Sequence, residues 1–271
     1  VGANPVAIKL GLEDVPPLRM AGMRFAVGSA VILVWAGATD RLRGWRLERA
    51  EYRPLLVLGL LFTAQIATMN VGTALTSAAY SAILLNLYAV HTVVLSHFMI
   101  PGDRLTLSRA LGVLVAYAGI VLLFVRQASS GAPTLLGDGL MFASSLFLGE
   151  RTVYLAREAR RLDPVKLLLS QAAIGCVFFV SFSATFEAES TRWTWRLGAV
   201  LVFQGAIIAG FNFIVNLWLL RHYRPGALAT IFLTQPIFGV LAANLVTGDP
   251  LTVELLVASL AVAAGIGLTV R

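Results

Sequence analysis

The sequence predicts an all-α integral membrane protein: ten transmembrane helices in two inverted five-helix repeats, with both termini in the cytoplasm. Three observations predict it. The 271 residues are 58% hydrophobic and only 13% charged, too little charge for the solvated shell of a soluble domain this long. Apolar runs of about 20 residues recur along the chain, enough to cross the hydrocarbon layer as helices, whereas a β-barrel would show alternating segments of about 10. Finally, residues 102–120, GDRLTLSRALGVLVAYAGI, return 146 positions later as residues 248–266, GDPLTVELLVASLAVAAGI. The same offset carries Asn70 onto Asn216, and an offset of 147 carries Pro17 onto Pro164 and Arg24 onto Gln171. A duplicated unit with an odd number of spans inserts its second copy upside down, and inverted halves around a cavity are a physical solution to alternating access.

The elements follow in order. Residues 1–10 are too short to span and are expected to be the end of a helix that starts upstream. The second helix covers 17–38 and the third 54–73, each with a proline in its first turn, where a missing N–H costs little. The fourth is expected at 77–100. Gly102-Asp103 punctuates the chain before the fifth, 106–125. Residues 126–138, RQASSGAPTLLGD, are polar and rich in turn formers, and read as a periplasmic linker between a first repeat at 1–125 and a second at 139–271. The sixth helix is expected at 135–156, the seventh at 164–186 behind Pro164, the eighth at 195–220, the ninth at 226–246, and the tenth at 252–270 after Gly248-Asp249.

Charge sets the orientation. Of the 21 Lys and Arg residues, 14 fall in the 2–3, 4–5, 6–7 and 8–9 loops and the C-terminus, and five on the opposite side. The positive-inside rule then puts both termini in the cytoplasm. Trp193 and Trp195 fall at the outer interface, where indole rings favour the headgroup layer. The net charge of +7 therefore reads as topology, not as a nucleic-acid patch. The single Cys176 allows no intramolecular disulfide, and no metal-ligand spacing surrounds it. No G-x-x-x-x-G-K-[ST] sequence is present, which argues against ATP-driven chemistry in this polypeptide. No nucleophile–base spacing supports an enzyme. No cofactor and no metal site is expected.

Polar side chains inside spans are costly toward lipid and should face protein or water. In the fourth helix Tyr80, Ser81, Tyr88, His91 and Thr92 share one arc at 100° per residue. Two tyrosines and a histidine could hold a zwitterion by hydrogen bonds and its side chain by aromatic contact; the alternative is that they bond neighbouring helices. The eighth helix presents Gln204, Asn212 and Asn216, the third Thr63 and Asn70, and the ninth Thr230, Thr234 and Asn244. Such groups either line a cavity or hold helices together. Trp218 reads equally as a substrate contact or an interfacial anchor. Arg24 could attract a carboxylate, but the structural reading, a snorkelling or carbonyl-bonding guanidinium, is the expected one. Glu150, the only carboxylate expected within a span, is the sole candidate for a proton site, against the simpler reading of an interfacial acid. Gly112 and Gly119, with Ala258, Gly265 and Gly267, are expected to serve close helix packing or a homodimer face, so the chain is a monomer or a homodimer.

These residues resemble a known family. GDRLT and its GDPLT echo, GxNPVAxK at residues 2–9, the Pro17-to-Arg24 spacing and Gln235-Pro236 are similar to the EamA type of the drug/metabolite transporter superfamily. The aromatic and His content of the fourth helix and Asn216–Trp218 resemble, within it, amino-acid exporters of the YddG type. The resemblance implies an EamA-like bundle in the bacterial inner membrane, exporting neutral and aromatic amino acids and related small metabolites across the bilayer. Ala89 stands where many members carry Pro, which implies a straighter fourth helix. Two other cargo classes stay open: anionic metabolites such as sugar nucleotides and organic phosphates, which want several Lys or Arg in the pocket, and multidrug export.

Overall fold

The structure is a computed structural model that describes residues 2–41, 46–100, 102–129, 134–223 and 234–270. Every regular element among them is a helix. They are α1 (Asn4–Gly11), α2 (Pro17–Ala38), α3 (Arg49–Leu75), α4 (Ala78–Asn86), α5 (Tyr88–Met99), α6 (Leu107–Ser129), α7 (Leu135–Glu158), α8 (Pro164–Phe186), α9 (Trp195–Leu201), a π-helical segment (Val202–Phe211), α10 (Asn212–His222), α11 (Gln235–Thr247) and α12 (Val253–Val270). Six runs are long and apolar enough to cross a bilayer: α2, α3, α4 with α5, α6, α8, and α9 through α10. Helices α11 and α12 are shorter and apolar. The expected start of the ninth helix, with Thr230, lies outside the described residues.

Several boundaries differ from the sequence reading for local reasons. Helix α3 starts at Arg49, so Pro54 lies inside it rather than in its first turn. Glu48 and Glu51 form a reciprocal capping box there, and both Glu51 oxygens accept from Lys166 Nζ of α8 at 2.8 Å. Helix α6 runs on to Ser129 and α7 begins at Leu135, which leaves residues 130–134 of the expected linker between helices; 130–133 are outside the described residues. The fourth span breaks at Leu87 even without proline at Ala89. Leu87 N–H reaches back to the Leu84 carbonyl at 3.2 Å, and Asn86 Nδ2 donates to the Ala82 carbonyl at 2.7 Å, so the ladder tightens and restarts. The eighth span loses its α register over Val202–Phe211. A π segment widens the helix and re-aims side chains, a feature concentrated at functional sites.

The two Gly-Asp turns share a backbone shape. Gly102 has φ +84° and Gly248 φ +73°, a left-handed conformation that glycine adopts without Cβ strain. Asp249 then accepts from the Ala79 N–H at 2.8 Å and caps the start of α4. Beyond these turns α6 and α12 pack along their small residues. A Cβ on Gly112 would lie 2.5 Å from the Gly265 carbonyl oxygen, and one on Gly265 equally close to the Gly112 oxygen. The small-residue face is thus used within the chain.

Helix α2 packs on the π segment and on α8, α3 on α7 and α8, α1 on α9 and the π segment, and α11 on α4. The result is apolar outside and polar inside. Val34, Leu107, Leu114, Val177, Phe186, Leu245 and Val253 are exposed, while Arg24, Gln65, Asn70, Ser144 and Gln204 are buried. A hydrocarbon surround favours that arrangement and water opposes it.

The end of the bundle that carries residues 187–194 is laced shut by ion pairs. Arg196 binds the Glu13 carboxylate and sits 2.9–3.0 Å from Asp14 Oδ2. Thr194 Oγ1 donates to Asp14 at 2.8 Å, Arg192 donates to the Glu13 carbonyl, and the Glu187 carboxylate accepts the Leu18 and Arg19 N–H groups. The Thr194 hydroxyl, and after it the Arg196 guanidinium, hold the Asp14 carboxyl below its ordinary value. A group depressed in the folded state stabilises it fully above the unfolded value, and that contribution disappears as pH falls through the depressed value. The melting temperature of the purified protein should therefore drop as the pH falls below about 4, and Asp14→Asn should be less stable at pH 7 with a flatter profile. Identical profiles would show that the cluster does not hold this end.

Candidate functional site: a cavity with two guanidiniums

A cavity of about 120 Å³ lies in the middle of the bundle. Its walls run from Arg24 and Gln204, in the body of α2 and the π segment, to Leu155, Leu168 and Leu220, toward the end opposite the laced one. All the irregular backbone described above meets it: Asn86, Tyr88 and Ala89 flank the break at Leu87, and Gln204, Ile208 and Ala209 come from the π segment. Non-helical backbone at membrane depth is tolerated where it lines a cavity.

Two arginines dominate the chemistry. Arg24 is 2% exposed and Arg151 6%. Arg24 Nη1 donates to Gln204 Oε1 at 2.8 Å, and Gln204 Nε2 donates to the Asn4 carbonyl at 3.0 Å. Arg151 Nε donates to Gln171 Oε1 at 2.7 Å, and Gln171 Nε2 to the Leu167 carbonyl at 2.5 Å. The Arg24 guanidinium carbon lies 4.7 Å from the Phe25 ring centroid, and that of Arg151 lies 4.8 and 5.0 Å from Phe62 and Phe213. Among the described residues no carboxylate pairs with either arginine, and none lines the cavity. Arg24 Nε has no hydrogen-bond partner. A buried cation with a free donor is expensive unless an anion meets it.

The two arginines are also related by the repeat. The offset of 147 that carries Arg24 onto Gln171 carries Asn4 onto Arg151. Each half thus holds an amide and a guanidinium at the same two positions, exchanged between them. This signal was present in the sequence. It was missed because Arg24 near a helix end has a cheap structural explanation, which the geometry removes by turning it into the bundle.

Of the residues expected at a site, Tyr88, Thr92, Gln204, Asn212 and Asn216 are cavity walls. The others sit elsewhere. Tyr80 is half-buried against the apolar core. His91 is buried between Tyr117 and Phe142, with Nδ1 3.4 Å from Ser145 Oγ. Asn70 is buried and donates to the Ile66 carbonyl at 3.0 Å. Thr234 is exposed just before α11. Trp218 is 54% exposed in a separate cleft with Trp35, Arg41 and Arg221, its ring against His222. Glu150 is exposed on α7, away from the cavity. No group of three His, Cys, Asp or Glu among the described residues is placed to hold a metal.

A bundle of membrane-spanning helices that keeps polar groups around an internal hollow defines a class, the multi-pass membrane transporters. The model of the EamA-like transporter family matches residues 1–125 and again 135–271. The chain belongs to this family, whose members are transporters and not enzymes. It is similar over 98% of its length to the uncharacterized transporter YoaV of Bacillus subtilis (strain 168), at 21% identity and 91% of that protein. It is 24% identical to a probable amino-acid metabolite efflux pump of Escherichia coli (strain K12), over 93% of this chain and 84% of the other. The uncharacterized inner membrane transporter YedA of the same strain is 26% identical over 93% and 80%. One solved crystal structure superposes with a TM-score of 0.73 at 18% identity, covering 98% of this chain and 94% of that one, which shows a shared fold.

Proposed function

We propose that this protein exports small carboxylate-bearing metabolites of the amino-acid class, neutral and aromatic amino acids and their relatives, from the bacterial cytoplasm across the inner membrane. The observation that carries this reading is the pair of buried guanidiniums without a carboxylate partner in the cavity. A substrate carboxylate supplies the missing anion, Tyr88, Asn212 and Asn216 its further hydrogen bonds, and Phe25 and Phe213 an apolar wall. The resemblance to YddG-type exporters and the name of the efflux-pump relative support the same class.

The mechanism is alternating access by two inverted halves of five spans each, ten in all, with cytoplasmic termini. The reciprocal packing of α2 on the π segment and α3 on α8 is what two copies related by a two-fold axis produce. With the 187–194 end laced shut and the cavity reaching toward the other end, the conformation corresponds to the one that loads from the cytoplasm. Rocking of the third, fourth, eighth and ninth spans opens the laced end. Glu150 faces away from the cavity, which supports export without proton coupling through it.

Flux in proteoliposomes under an imposed pH gradient tests this reading. Radiolabelled aromatic amino acids and their derivatives should move, and Glu150→Gln should transport at the wild-type rate. The two guanidiniums also favour organic phosphates as a second reading, and flux inhibited by phosphorylated compounds but not by carboxylates would select it. Transport of bulky organic cations alone would refute both, since such a cargo would face two positive charges.

A further inference from the structure

The orphaned polar atoms of the cavity specify more than a carboxylate. We infer that, within the cargo class proposed above and resting on that reading, the preferred substrate is a monoanion pairing its carboxylate with an uncharged N–H or O–H donor, as an N-acylated amino acid does, in place of the free zwitterion.

Three residues of the cavity wall each hold a buried side-chain atom with no hydrogen-bond partner among the described residues: Arg24 Nε, Asn4 Oδ1 and Asn86 Oδ1. One is a cationic donor and two are neutral acceptors. The assignment at Asn86 is fixed by chemistry, because its amide Nδ2 faces the Ala82 carbonyl at 2.7 Å and only a donor suits that contact. Buried groups of this kind are normally satisfied, so together they describe what is absent: an anion for Arg24 and hydrogen donors for the two amide oxygens. An ammonium donates too, but it adds a positive charge beside Arg24 and Arg151 in a low-dielectric hollow whose described walls carry no Asp or Glu. Of the three aromatic rings on the wall, Phe25, Tyr88 and Phe213, both phenylalanine rings already carry a guanidinium. An amide N–H or a hydroxyl meets the same oxygens without that repulsion. Apolar Ile66, Leu85, Leu148 and Ile208 then suit an acyl chain.

Counterflow in proteoliposomes tests this with four probes: phenylalanine, N-acetylphenylalanine, 3-phenylpropionate, which lacks the donor, and phenylalanine amide, which lacks the carboxylate. N-acetylphenylalanine should compete about tenfold more strongly than phenylalanine, a difference of ~1.4 kcal/mol, and more strongly than 3-phenylpropionate; the amide should not compete. Asn86→Leu should erase the advantage of the N-acetyl compound over 3-phenylpropionate. If phenylalanine competes as well as or better than its N-acetyl derivative in the wild type, the inference fails while the carboxylate reading stands. If only the amide is carried, or if none of the four moves in vesicles of folded protein, the carboxylate reading itself fails and takes the inference with it.

Discussion

Replacing Arg24 by Gln should cut export of a carboxylate substrate by at least about thirtyfold, on the scale of ~2 kcal/mol or more for removing one partner of a buried, hydrogen-bonded charge pair. Gln is the residue that the second repeat carries at the equivalent position, where Gln171 is accommodated in α8. The substitution is therefore one that this helix environment tolerates, and loss of flux is not expected to reflect loss of fold. Arg151→Asn makes the matching exchange, because Asn4 is its repeat equivalent, and should be equally damaging. The two losses should not add, since both guanidiniums serve one cavity. Competition assays in proteoliposomes measure both. Wild-type affinity in Arg24→Gln with monodisperse protein would return Arg24 to a structural role and remove the main support for a carboxylate cargo.

The largest effect on stability is expected where α6 and α12 cross. Gly112→Leu or Gly265→Leu places side-chain carbon where the helix crossing leaves 2.5 Å to an opposing carbonyl oxygen. That atom belongs to backbone and cannot swing aside, so the helices must separate. Overpacking of this kind costs about 1–3 kcal/mol, and here it also removes the close backbone approach that holds membrane helices together. The melting temperature in detergent should fall markedly and monodisperse yield with it. Gly139→Ala is the control, because a Cβ there meets nothing within 4 Å, and it should be unchanged. Equal behaviour of the Gly112 and Gly139 variants would mean that α6 and α12 do not pack as described.

Much of the architecture was legible because it is periodic. Helices α2 and α8 begin at their prolines, and the Gly-Asp echo marks two turns of the same left-handed shape. What was not legible depends on contacts distant in sequence. The early start of α3 combines the local Glu48–Glu51 capping box with a contact of Glu51 to Lys166, 115 residues away. The break at Leu87 carries no Gly or Pro signature, and Gly205 and Gly210 within Val202–Phe211 do not by themselves mark a change of helical register. At the site, helical-wheel reasoning gathered Tyr80, Tyr88, His91 and Thr92 on one arc; Tyr88 and Thr92 of α5 reach the cavity, while Tyr80, before the break at Leu87, and His91 do not. A wheel assumes an unbroken helix, and this one is interrupted between the residues that it groups. Arg24 and Arg151 were visible as charges inside spans. Their direction was not, because it is set by Gln204 and Gln171 on other helices.

Two-sided access to one cavity is the claim on which the rest depends, and a single labelling measurement addresses it. With Cys176 replaced by Ser, a cysteine at Ile208, on the cavity wall, is exposed in turn to a membrane-impermeant maleimide from each face of oriented vesicles. The alternating-access account predicts labelling from both faces, with substrate slowing both reactions. Labelling confined to one face under every substrate condition would contradict it.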